Sequence, residues 1–194
     1  AEGYQEINMV YFEDVKVPKE NLVGEQGKGW TCAKYLLEFE RGNAYSPGLK
    51  GAMAHLKQAA AAEKDGAGQP LSDSAYFMKK YNDILVQILA MEATELRILG
   101  ALAAGQNLGP ESSILKTRGT ELQQAVTELA LEISGSYAAP LDQSTPAPGD
   151  NFQPIGPQAH NGVAQDYFNT RKVSIYAGSN EIQRNIMSKL VLGL

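Results

Sequence analysis

Arg171-Lys-Val-Ser-Ile-Tyr-Ala-Gly-Ser-Asn-Glu-Ile-Gln-Arg-Asn-Ile-Met-Ser-Lys-Leu-Val-Leu-Gly-Leu194 carries most of what this chain can say. A helical stretch runs into Gly178, and a second helix starts at once. Ser179 or Asn180 is its natural N-cap, because a short side-chain oxygen can accept from the free N–H groups of the first turn. Gln183 follows Asn180 at capping-box-like spacing. Ile182, Ile186, Leu190 and Val191 recur at helical spacing and are expected to form one apolar face. Two readings of this corner stand side by side. It is a plain turn between two helices, or a helix start whose free N–H groups receive a polar or anionic ligand.

Working outward, the preceding chain reads as helices. A helix is expected from Trp30 to about Lys64, broken near Pro47, which lacks a backbone donor. Asp65–Pro70 is a loop. Ser72 or Asp73 is expected to cap a second helix, ending near Gly105, whose inner face includes Phe77, Tyr81, Ile84, Leu85, Ile88 and Leu89. A third helix, Glu111–Ser134, turns Ile114, Leu115, Leu122, Val126, Leu129 and Ile133 inward. A long irregular stretch, Gly135–Pro157, holds five prolines; a loop of that length is usually functional or mobile, or it is an untidy surface insertion. A fourth helix, Asn161–Tyr176, leads into the quoted corner. Ahead of the helices, residues 4–17 alternate as a strand would, and Pro18–Gly29 is a connector. The fold class is all-α: an antiparallel helical bundle over residues 29–194, with a short β remnant and linker over residues 1–28.

Composition excludes several functions. The chain has 194 residues and a net charge of −5, with no block of basic residues, which argues against nucleic acid as a partner. No apolar run approaches the ~18 residues of a membrane span. No secretory signal is expected at the N-terminus. One cysteine, Cys32, fits a reducing compartment, and a cytoplasmic location is expected. It reads as a small core residue rather than a catalytic thiol, having no neighbouring base. Two histidines, His55 and His160, give no metal-binding cluster, so no metal is expected.

The run Tyr176-Ala-Gly-Ser-Asn-Glu-Ile-Gln-Arg-Asn-Ile186 resembles the C-terminal signature of the acyl-CoA dehydrogenase family. Val10-Tyr-Phe-Glu-Asp-Val-Lys-Val-Pro18, Asn21-Leu-Val-Gly24 and Gly27-Lys-Gly-Trp30 resemble the family's passage from a middle β-domain into a C-terminal helical domain. Glu40-Arg41 and Gly68-Gln-Pro-Leu71 fall where further landmarks are expected. The resemblance covers essentially the whole chain, but not a whole enzyme, since family members also have an N-terminal helical domain and a fuller β-domain.

The resemblance implies FAD chemistry on an acyl-CoA substrate. A carboxylate removes the α-proton, and the β-hydrogen leaves as hydride. Many family members carry that carboxylate immediately before the signature Gly, where this chain has Ala177. The backbone N–H of Ala177 can still bind the thioester oxygen. A minority branch of the family places the base in a Glu-Arg pair on the first helix of the domain, here Glu40-Arg41. Trp30, Ala33, Leu36, Leu37 and Glu40 follow helical spacing, so Glu40 continues an apolar face. Glu40 is then either an ion-paired structural carboxylate or the base; with the position at Ala177 empty, the base is favoured. The resemblance places Arg41 near the CoA side of the pocket, and Lys189 near the CoA adenine, unless Lys189 is a solvated helix-end lysine. FAD contacts carry over onto Gly178, Ser179, Asn180 and Glu181.

In the family each FAD lies between two subunits. The positions this chain would lend to its neighbour depart from the family pattern. Lys64 stands for an Arg, Ala67 for a Phe, Glu132 for a Gln and Ser136 for a Gly. Lys is not a bidentate phosphate fork, and Glu132 would bring negative charge toward a pyrophosphate. The expected partners are therefore a homologous acyl-CoA dehydrogenase subunit that supplies the donated half, and an electron-transfer flavoprotein as electron acceptor. A non-catalytic structural subunit is the alternative that Ala177 keeps open.

Overall fold

Pro47 decides where the first helical run divides, because a proline is accommodated at the start of a helix but not inside one. The computed structural model describes residues 7–40, 44–106, 109–140, 151 and 155–194. Among them are six α-helices: α1 (Gly29–Glu40), α2 (Ser46–Ala62), α3 (Ala75–Ala103), α4 (Ser112–Ser134), α5 (Val163–Thr170) and α6 (Asn180–Met187). Pro47 lies in the first turn of α2, so the expected break falls between α1 and α2.

No strand is present among the described residues. Residues 7–17, expected as a strand, carry no regular structure and remain exposed, Phe12 at 80%. Alternation of apolar residues does not make a strand without a neighbouring ladder to pair its N–H and C=O groups. The chain bears the fold class out as an all-α domain; the described part of the expected β remnant, residues 7–28, forms no strand.

The loop after α2 is held by one side chain. Asp65 Oδ1 accepts from the N–H groups of Ala67 (2.8 Å) and Gln69 (2.9 Å), and the turn closes at Gly68, whose φ is +81°. Leu71–Asp73 then forms a 3-10 turn. This moves the cap of α3 from the expected Ser72 or Asp73 to Ser74, whose hydroxyl accepts from Phe77 N–H at 3.4 Å. A 3-10 turn uses residues 71–73 before the helix can begin, a distinction that capping residues in series cannot make alone.

α4 is the central element, packed against α2, α3, α5 and α6. Leu115, Leu122, Val126, Leu129 and Ile133 of α4 meet Phe77, Tyr81, Ile88 and Met91 of α3, and Leu49, Met53 and Ala60 of α2 in one core. Ile88, Leu115 and Leu129 are almost fully buried, each worth roughly 1.5–3 kcal/mol of transfer free energy. Ile114 and Leu89, also expected inside, sit at the margin and are exposed. Around the rim, Arg118 bonds Gln87 and Glu121, and Arg184 bonds the same Glu121, joining α3, α4 and α6. Glu132 pairs with Lys80, whose ammonium also lies over the Tyr76 ring, so its charge is balanced within the chain.

The long irregular stretch is pinned where it returns. His160 is buried, with Nδ1 2.9 Å from Ser134 Oγ and Nε2 2.8 Å from Glu63 Oε1, and its ring stacks on Tyr137. Pro146, Pro148 and Pro154 lie outside the described residues. α5 starts later than expected, at Val163 after left-handed Gly162, and gives way at Arg171 to a 3-10 turn, Arg171–Ser174. α6 passes into a π-turn, Ser188–Leu192, that ends at left-handed Gly193. Its expected apolar face is corrected: Asn180 and Gln183 are buried, while Ile182, Leu190 and Val191 are exposed. α6 packs beside a polar stretch of α4, and the residues that face it there are those that can hydrogen-bond.

Candidate active site

The 3-10 turn after α5 is stapled to α4 before the chain reverses. Arg171 donates from Nη2 to Gln124 O (2.9 Å) and Thr127 Oγ1 (2.8 Å), and its guanidinium lies 4.2 Å from the centroid of the Tyr167 ring. In return, Gln124 Nε2 donates to Arg171 O and Ser174 Oγ, both at 3.2 Å. The reversal follows at Ala177 and Gly178, with φ of +54° and +82°. Left-handed geometry costs a residue with a Cβ roughly 1–2 kcal/mol, so Ala177 is held there by its surroundings. At Gly178 the left-handed backbone calls for glycine, and a Cβ there would lie 2.7 Å from Gln183 Nε2, so the end of that side chain would have to shift.

This corner, α4 and α6 enclose a cleft of ≈ 470 Å³. Its floor is Lys116, Thr120 and Gln123 of α4; Tyr176, Ala177 and Gly178 form one wall and Ile182, Gln183 and Ile186 of α6 another. Tyr45 and Leu37 border the remaining side. The lining contains one charged residue, Lys116, and no carboxylate among the described residues.

Lys116 is 3% exposed, and its ammonium donates to Val173 O at 2.6 Å, 5.9 Å from the centroid of the Tyr176 ring. Burial pushes its pKa below 10.5, against an opposing pull from the Glu181 carboxylate. Gln183 is 2% exposed; its Nε2 donates to Gly178 O at 3.4 Å, and its Oε1 has no partner among the described residues. A buried acceptor without a partner is costly, and this one belongs to a residue that borders the cleft.

The expected cofactor residues separate here. Gly178 borders the cleft. Ser179 is the N-cap of α6, accepting from Ile182 N–H at 3.5 Å. Asn180 is buried away from solvent, its Oδ1 3.1 Å from Thr120 Oγ1. Glu181 is exposed; its own backbone N–H and the Ser179 hydroxyl hold its carboxyl below the usual carboxylate range, with Arg184 and Lys116 adding to the effect. Lys64 is exposed just beyond α2, bridged to Pro70, and Lys189 is exposed in the terminal π-turn; neither borders the cleft. Glu40 is the last residue of α1, and Arg41 lies outside the described residues. Of the expected apolar row on α1, Leu37 reaches the cleft while Trp30 and Leu36 are exposed.

Lys116 was not anticipated from the sequence. The available signal was its spacing from Ser113, Thr120 and Gln123, which marks a polar stripe on a helix otherwise read only for its apolar one. Its titration gives a testable result. The folded chain binds this proton more weakly than the unfolded chain, so between the lowered value and 10.5 the unfolded state holds more protons and stability rises with pH. Lys116→Met removes that contribution. In urea unfolding across the alkaline range, the wild type is expected to gain on the variant as pH rises; a constant difference would exclude burial of the ammonium as a stability term.

The arrangement is a helical domain with a mostly apolar cleft at a strained corner, a class suited to gripping an apolar group beside backbone donors. The family model "Acyl-CoA dehydrogenase, C-terminal domain" matches residues 27–192. The chain belongs to the acyl-CoA dehydrogenase family. It is 27% identical to acyl-CoA dehydrogenase FadE26 of Mycobacterium tuberculosis, over 95% of this chain and 44% of that protein. It is 29% identical to the mitochondrial short-chain specific acyl-CoA dehydrogenase of Mus musculus, over 91% of this chain and 39% of that protein. Among solved structures, the ChsE4-ChsE5 complex from Mycobacterium tuberculosis matches with a TM-score of 0.74 and 27% identity, over 95% of this chain and 45% of that one. The chain thus spans less than half the length of these relatives.

Proposed function

We propose that the protein containing this chain is an FAD-dependent acyl-CoA dehydrogenase that converts an acyl-CoA thioester to the 2,3-enoyl-CoA, with Glu40 as the base. The observation that supports this most is the position of α1. Leu37 borders the cleft, and Glu40 stands one turn further along the same helix, while the described lining has no carboxylate of its own. Glu40 takes the proton from the α-carbon. The Ala177 N–H donates to the thioester oxygen as negative charge grows on it, a role indifferent to the side chain. Val173, Ile182 and Ile186 give the cleft an apolar side, and a base working beside such a surface gains proton affinity from desolvation. Arg41 and Lys189 serve the CoA side.

The residues present fit one edge of FAD: bare backbone at Gly178, the start of α6 at Ser179 and Asn180, and the unpartnered Gln183 acceptor. When bound, FAD supplies the acceptor for the hydride that leaves the β-carbon. The ionised Glu181 disfavours a phosphate beside it, so the phosphate end of the cofactor is held by other groups. A homologous subunit supplies them in this reading, with Lys64 lent outward in exchange. The ChsE4-ChsE5 complex is an example of a relative built from two different chains. An electron-transfer flavoprotein then takes the electrons, and the protein works in the cytoplasm. No helix among the described residues is long and apolar enough to cross a membrane.

Ala177 favours a second reading, a structural subunit that supports a catalytic partner. Flavin content of the full-length protein, purified alone and with a homologous subunit, separates the two. FAD is expected only in the mixed complex, together with acyl-CoA-dependent reduction of an artificial acceptor. No FAD attributable to this subunit in either preparation would leave the structural reading.

A further inference from the structure

Tyr45 borders two cavities at once. Besides the cleft at Ala177, it borders a second cavity of ≈ 460 Å³, and the two share Tyr45, Gln123 and Val173 in their linings. The second cavity is walled further by Gly48, Leu49, Ala52 and Val126, and no charged residue lines it among the described residues. The charged group and the strained backbone corner therefore stand at one end of this pair of spaces, and uncharged walls at the other.

The ring is fixed from two directions. Its backbone N–H donates to Glu95 Oε1 at 2.6 Å. Its face fills the space left by Gly119 of α4, where a Cβ would lie 2.4 Å from Tyr45 Cγ. Burial, with the nearby Tyr176 and Glu95, pushes the phenol pKa up, so the group is neutral and suits an apolar boundary. A side chain held by its own backbone and by a glycine recess is a wall rather than a swinging gate.

We infer that Tyr45 is a specificity-determining residue: its ring separates the cleft from the second cavity and sets the upper length of the apolar acyl group accepted. This rests on the acyl thioester reading above. The thioester end lies at Ala177, and the tail runs toward Tyr45. With the ring in place the tail must end there; with the ring removed, Gly48, Leu49 and Ala52 line its continuation.

The test uses the full-length protein in its active complex, with straight-chain saturated acyl-CoA thioesters of increasing length. Both kcat/KM and equilibrium binding are measured for each. Tyr45→Ala is expected to raise kcat/KM for the longest thioesters by about tenfold or more relative to the short ones, as one or two added methylenes in an apolar pocket allow. Adding Ala52→Leu to that variant refills the second cavity and is expected to restore the shorter limit. An unchanged length profile in Tyr45→Ala, with wild-type turnover intact, overturns the inference and leaves the proposed reaction standing. A shift toward longer chains in binding, with no turnover in any preparation, supports the inference and removes the reaction. A shift that Ala52→Leu does not reverse also overturns it, since the added room would lie elsewhere. Should Tyr45→Ala fail to fold, Tyr45→Leu carries the same comparison.

Discussion

Glu40→Gln is expected to lower kcat for acyl-CoA oxidation by about 10²–10⁴-fold, the usual contribution of a positioned general base, while FAD remains bound. Glutamine has nearly the same shape and no basic oxygen, so it tests the proton transfer without opening a hole. The cleft has no carboxylate among its described lining residues to take over, and Ala177 offers only a methyl group and a backbone N–H. Binding of the thioester should change little, because Ala177 N–H and the apolar walls are untouched; the loss belongs in kcat rather than KM. Single-turnover flavin bleaching measures the step directly. Wild-type bleaching in the variant, with flavin content equal, would assign Glu40 to structure.

Glu95→Ala is expected to destabilise the domain by about 3–5 kcal/mol, since it ends several hydrogen bonds to one buried carboxyl group, each worth roughly 1.5–3 kcal/mol where the acceptor is charged. Glu95 is 3% exposed, and its carboxylate accepts from Tyr45 N–H at 2.6 Å, Ser46 N–H at 3.1 Å and the Ser46 hydroxyl. It caps α2 from another helix, placing negative charge at the positive end of the α2 dipole. Truncation leaves these donors with no acceptor in a dry place and also leaves a cavity. Glu95→Gln keeps one acceptor oxygen and the volume, and should lose about half as much or less, given that hydrogen bonds to charged groups are worth ~1.5–3 kcal/mol and neutral ones ~1. Urea unfolding of both variants gives the comparison. A loss under about 1 kcal/mol for alanine, no more than an ordinary surface change, would mean the α2 start finds its partners elsewhere.

This cap also shows what a sequence hides. Pro47 correctly marked the division between α1 and α2, because a missing N–H is a local fact. Ser46-Pro47 has the composition of a helix start, but the acceptor that satisfies its N–H groups comes from fifty residues away in sequence. Similarly, the sequence offered Ser179 or Asn180 as the cap of α6, and Ser179 takes it. The inward residues of that helix were not: spacing nominated Ile182 and Leu190, and the structure buries Asn180 and Gln183. The polar stripe of α4 decides this, for a helix that packs on hydrogen-bonding groups must offer its own. The strand expected in residues 4–17 failed for a related reason, as its described part has no ladder to join.

What the sequence determined by itself was local and periodic. It marked the helices, most of their apolar faces, the corner at Gly178 and the family signature around it. These follow from backbone sterics and from 3.6-residue spacing, which act over a few residues at a time. The tertiary structure decided which of those residues share a space. It buried Lys116 under the Tyr176–Gly178 wall, withdrew Asn180 from the surface, gave Glu132 a counter-charge, and set the Tyr45 ring in the recess of Gly119, where it borders two cavities. Burial, pairing and cavity shape depend on contacts between distant segments, and no local pattern encodes their outcome.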